Sequence, residues 1–124
     1  MSKYNQVLFD NNLFSSFIVS CVPDINLEEI KEEAYAMKKN FASKTVSNNG
    51  GYQSPAFDSG SCNFKNFNLL EETVKNFSFD VVNDRELDLP YSNVCWWMNI
   101  NKNCHYNVIH NHGRADLIGV YYIA

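Results

Sequence analysis

The apolar residues of this chain change their spacing at Asn93, and that change restricts the folds open to it. Upstream, in "DINLEEIKEEAYAMKKNF", Leu27, Ile30, Ala34, Met37 and Phe41 recur at steps of three and four, which sets one apolar stripe along a helix. Asn26 stands where an N-cap is needed, with Glu29 three residues on in a capping-box arrangement. Glu28 and Glu29 come first and Lys38 and Lys39 last, as the helix dipole prefers. "NLLEETVKNF" repeats the formula, with Asn68 as cap, Glu71 three residues later, and Leu70, Val74 and Phe77 as the expected buried edge. From Asn93 the period is two. In "NVCWWMNIN", Val94, Trp96, Met98 and Ile100 face one side, while Cys95, Trp97, Asn99 and Asn101 face the other.

Further extended segments are expected over about residues 106–112, in "LIGVYYIA", and as one or two short strands within residues 5–20. "SKTVSNNGGYQSPAFDSGSCN" is polar and rich in Gly, Ser and Asn, so it reads as a long loop, and ordered loops of that length are often functional. Residues 80–92 read as a polar connection containing Pro90. Helices followed by antiparallel strands give an α+β or mainly β domain with helices packed on one sheet. At 124 residues the chain is one domain: support elements over about 1–92, then sheet strands over about 93–124.

Hydrophobic content of 45% and aromatic content of 15% are those of a folded globular chain. The net charge is −4 and the cations are scattered, so no basic stripe tracks a nucleic-acid backbone and bulk nucleic-acid binding is not expected. The apolar runs are too short to span a bilayer, so no membrane is expected either. Cys21, Cys62, Cys95 and Cys104 form no CxxC pair, and the start lacks a basic region followed by an apolar run. A cytoplasmic protein with reduced thiols is therefore expected.

All the histidines, His105, His110 and His112, lie close together. On an extended strand the spacing of His110 and His112 points both imidazoles to one face, where they can grip one ion such as Fe(II), Zn(II), Cu or Ni. A chance pair on a polar strand has the same spacing, and that alternative stays open on spacing alone. His105 has the wrong parity for a continuous strand, although a bend at Asn107 could bring it round, and Asp116 could reach back from a turn at Gly113. Cys104 beside His105 is not a nucleophile pair, because adjacent residues on a strand point apart.

Read with its flanks, "WMNINKNCHYNVIHNHGRADLIGVYY" resembles a family of 2-oxoglutarate/Fe(II)-dependent oxygenases common in bacteriophages and marine bacteria. The family pattern is a Trp-x-Asn strand, a short polar turn, Tyr-Asn, His-x-His and then Ser-Gly-Val-Tyr-Tyr. Trp97, Asn99, Tyr106, Asn107, His110, His112, Gly119, Val120, Tyr121 and Tyr122 fall in register with it. "SNNGGYQS" is similar to the family's Ser-Asn-x-Gly-Gly-Trp-Gln-Ser, with Tyr52 for Trp. The resemblance covers roughly residues 45–124. Departures are Cys104 for a turn Gly, Gly113 for Pro and Ile118 for Ser.

The resemblance implies a double-stranded β-helix, a cupin-like jelly roll with helices on one sheet. It implies Fe(II) held by His110 and His112 together with a distal His, and 2-oxoglutarate chelated to the metal and paired with a late Arg or Lys. It makes Asn99, Asn107 and Tyr122 candidates to line the pocket or meet 2-oxoglutarate. A facial triad suits this chemistry because it leaves positions open on the iron. No His follows His112 and no Arg or Lys follows Arg114, so a shortened oxygenase lacking its C-terminal strands is expected, with a homo-oligomer or second chain as a way to complete the barrel. The implied activity is hydroxylation of a protein side chain, a nucleobase or a small metabolite. The alternatives are a non-catalytic metal-binding protein and a phage interaction module that kept the fold.

Overall fold

A computed structural model describes residues 4–7, 18–89 and 93–123. In chain order the elements are β1 (Tyr4–Val7), β2 (Ser20–Pro23), α1 (Leu27–Asn40), β3 (Asn48–Asn49), β4 (Tyr52–Gln53), β5 (Phe57–Asp58), α2 (Lys65–Asp84), β6 (Cys95–Trp96), β7 (Asn99–Ile100) and β8 (Tyr106–Asn107). Of the strands expected within residues 5–20, β1 overlaps the start of that stretch, while β2 begins only at its last residue, Ser20, and runs to Pro23; the two pair antiparallel. The middle of that stretch lies outside the described residues.

Helix α1 forms where its capping box and apolar stripe predict. The Asn26 side-chain oxygen accepts the backbone N–H groups of Glu28 and Glu29 at 3.1 and 3.2 Å. Ile30, Ala34 and Met37 are buried, while Leu27 and Phe41, at the two ends of the stripe, stay partly in solvent.

Helix α2 differs from its expected form. It begins at Lys65 rather than after Asn68, and it runs on through residues read as a connection, ending at Asp84. Phe64 occupies the N-cap position and offers no side-chain acceptor. The Glu33 carboxylate of α1 serves instead, accepting the backbone N–H groups of Asn66 and Phe67 and the Asn66 side-chain amide at 2.9 to 3.2 Å. A cap supplied from another helix leaves no local sequence signature. The buried face carries Phe67, Glu71 and Val81, with Leu70 packed partly against the core and Val74 exposed.

The stretch read as a long loop is the larger correction. Strand β3 pairs with β8, β4 with β7 and β5 with β6, all antiparallel, so residues 48–58 run along residues 95–107. Non-local backbone pairing formed these strands against a local composition that favours turns. Trp96, Met98 and Ile100 turn toward the helices and Cys95, Asn99 and Asn101 toward solvent, as the period of two predicts. Between β6 and β7 the ladder is carried by Ser54, whose N–H donates to the Met98 carbonyl at 2.9 Å and whose hydroxyl accepts the Met98 N–H at 2.9 Å.

The core gathers Ile30, Ala34 and Met37 of α1, Phe67 of α2, and Tyr52, Phe57, Cys62 and Met98. Trp96 is stacked between Phe57 and Phe67, with ring centres 4.7 and 5.3 Å away. Beyond β8, residues 108–112 and 117–123 were expected as extended segments and form no strand, although the Val108 N–H still donates to the Ser47 carbonyl at 2.7 Å. Tyr121 and Ile123 still pack against the core, and Ile118, Val120 and Tyr122 alternate outward. Among the described residues the sheets are two-stranded and no closed jelly roll is evident. No helix there is long and apolar enough to cross a membrane.

Candidate functional site

The two segments that carry the sequence motifs lie against each other. "SNNGGYQS" supplies β3 and β4, and "NINKNCHYN" supplies β7 and β8. Residues 101–105 bulge opposite Gly50 and Gly51, both of which hold positive φ, +68° and +67°. A Cβ on Gly50 would meet the His105 ring at 2.5 Å, and one on Gly51 would meet the Ile100 carbonyl oxygen at 2.9 Å. Only glycine combines that backbone with that approach. Cys104, in the turn, also has φ +69°, the conformation that glycine favours.

Past β8 the chain carries the histidine pair. The rings of His110 and His112 are 5.1 Å apart, centre to centre, at 56°. Two imidazoles on one ion, with metal–nitrogen distances of about 2.1 Å, hold their ring centres roughly 4.5 to 5.5 Å apart. His110 Nδ1 lies 2.7 Å from the Val108 carbonyl oxygen. A carbonyl can only accept, so Nδ1 carries the hydrogen and Nε2 keeps its lone pair for a ligand. The His112 ring stacks on Trp97 at 5.5 Å and 18°. The separation of the two ring centres lies in the range for two imidazoles on one ion. Among the described residues no group of three His, Cys, Asp or Glu side chains is placed to hold a metal, so neither His105 nor Asp116 completes a set.

His105 is engaged elsewhere. The Lys102 backbone N–H donates to its Nδ1 at 3.1 Å, which leaves the hydrogen on Nε2, the opposite tautomer to that of His110. With Lys38, Ser43, Tyr52, Ile100 and Lys102 it lines a cleft of about 240 Å³ between the end of α1 and the 101–105 bulge. In the sequence, His105 has the wrong parity for a ligand and Lys38 reads only as a helix-dipole charge. The Gly-Gly pair is the one local signal of a close approach there.

The remaining candidates are dispersed. Asn99 sits exposed on β7 opposite Gln53. The Asn107 amide is tied to Ser47 Oγ at 3.1 Å and to the Asn101 amide at 3.3 Å. Tyr122 is 83% exposed, with its ring in solvent. Gln53 is buried, and its side-chain oxygen has no hydrogen-bond partner among the described residues.

Two titrating groups bear on the frame rather than on the histidines. Burial pushes the Glu71 carboxyl up, but hydrogen bonds from Trp96 Nε1 (2.8 Å), Lys75 Nζ (3.0 Å) and the Gly60 N–H (2.9 Å), with the Lys75 charge, outweigh it and hold its pKa below the usual value. Burial raises the Tyr52 hydroxyl, which donates toward the Met37 and Phe41 carbonyls at the end of α1.

No family model, curated protein or solved structure matches this chain.

Proposed function

We propose that His110 and His112 are two protein ligands of an iron(II) centre, and that the protein is a 2-oxoglutarate-dependent oxygenase acting on a C–H bond. The observation that carries this reading is the hydrogen bond from His110 Nδ1 to the Val108 carbonyl, which leaves Nε2 free on a ring whose centre lies 5.1 Å from that of His112. Iron with 2-oxoglutarate supplies the oxygen activation that amino-acid side chains lack. The chain's own contribution is orientation. Val108 fixes the tautomer of one ligand, and the face of Trp97 fixes the ring plane of the other.

The strand segments belong, on this reading, to a double-stranded β-helix, and Asn99, Asn107 and Tyr122 are pocket candidates. The substrate class is a protein side chain, a nucleobase or a small metabolite. A second reading, metal binding without catalysis, draws on the lack of a third His, Cys, Asp or Glu ligand among the described residues.

Anaerobic titration of the full chain with Fe(II) and then 2-oxoglutarate separates the two. The oxygenase reading predicts the visible charge-transfer band of the iron chelate. Iron uptake without that band favours the non-catalytic reading and overturns the first.

A further inference from the structure

We infer that the cleft between the end of α1 and the 101–105 bulge binds a small oxyanion, a carboxylate or a phosphate. This inference is independent of the oxygenase reading, since it uses none of the metal-ligand candidates.

The side-chain hydrogens left free to meet a ligand in the cleft are those of Lys38, Lys102 and His105. Lys38 and Lys102 bring ammonium groups, and no carboxylate lines it, in a chain whose net charge is −4. Neither lysine is engaged in an ion pair among the described residues. His105 has its Nδ1 lone pair filled by the Lys102 N–H, so its remaining ring nitrogen can only donate. Ser43 has its hydroxyl committed twice, donating to the Lys44 carbonyl at 3.2 Å and accepting the Gln53 N–H at 3.2 Å. The Tyr52 hydroxyl covers the Met37 and Phe41 carbonyls, acceptors that would otherwise weaken the site for an anion.

A recess with two ammonium groups and no carboxylate repels metal cations and attracts anions, whose oxygens take the shorter, stronger charge-assisted hydrogen bonds. Tyr52 and Ile100 give it an apolar floor suited to a short carbon skeleton. Gly50 and Gly51 make the geometry, because any side chain at either position meets the bulge that carries His105.

The test is titration of the isotope-labelled full chain at constant ionic strength, following the His105 imidazole by NMR. One arm uses inorganic phosphate and the other succinate, with chloride as the competing background. Saturable movement of the His105 ring in either arm, with His110 and His112 unmoved, supports the site. The arm with the lower half-saturation identifies the preferred head group. The Lys38→Gln/Lys102→Gln double variant, altered only at exposed side chains, is expected to bind about tenfold more weakly while keeping its helical signal. Linear shifts in both arms, or equal half-saturation in the double variant, would overturn the inference.

Discussion

His110 Nδ1 lies 2.7 Å from the carbonyl oxygen of Val108, while His105 Nδ1 receives the backbone N–H of Lys102. Two histidines five positions apart are thereby held in opposite tautomers. Long-range proton–nitrogen NMR of the metal-free protein should show the hydrogen on Nδ1 in His110 and on Nε2 in His105. The same tautomer at both positions would remove the physical basis for treating one as a ligand and the other as a donor.

The glycines of "SNNGGYQS" make a graded prediction. Gly60 also has positive φ, +77°, but open space where a Cβ would go. Gly60→Ala should cost about 1 kcal/mol of stability, from the backbone alone. Gly50→Ala and Gly51→Ala add a collision with the His105 ring or the Ile100 carbonyl and should cost roughly 2 to 4 kcal/mol. Chemical denaturation of the three variants checks this, and equal costs would deny the close approach.

Glu71 governs an acid limb of stability. Its carboxyl is nearly buried between Trp96, Gly60 and Lys75, and its folded pKa lies below the unfolded value of about 4.3. A lowered folded pKa contributes stability that is complete above the unfolded pKa and is lost as pH falls through the folded one. Glu71→Gln should therefore destabilise by about 2 kcal/mol at pH 7, with the gap to the parent narrowing below pH ~4. Denaturation midpoints at both pH values test the sign, and a gap that widens in acid would contradict it.

Elements with a local signature were legible in the sequence. Helix α1 carries its own cap, dipole charges and apolar stripe, and the alternation after Asn93 correctly sorted Trp96, Met98 and Ile100 from Cys95 and Asn99. What could not be read depends on distant partners. The start of α2 is capped by Glu33 from another helix, and β3, β4 and β5 exist only through pairing with β8, β7 and β6. The same holds at the candidate site. The spacing of His110 and His112 was visible, whereas the Val108 hydrogen bond, the Trp97 stack and the Lys38–Lys102–His105 cleft arise from contacts that spacing does not encode.

The most direct measurement of the central claim is Fe(II) stoichiometry under anaerobic conditions for the parent chain and for His110→Ala and His112→Ala. Both side chains lie outside the buried core, so each variant should keep the parent's helical signal. The metal reading predicts one iron per parent chain and loss of uptake in each variant. Stoichiometric binding retained in either variant, or no uptake by the well-folded parent, would contradict it.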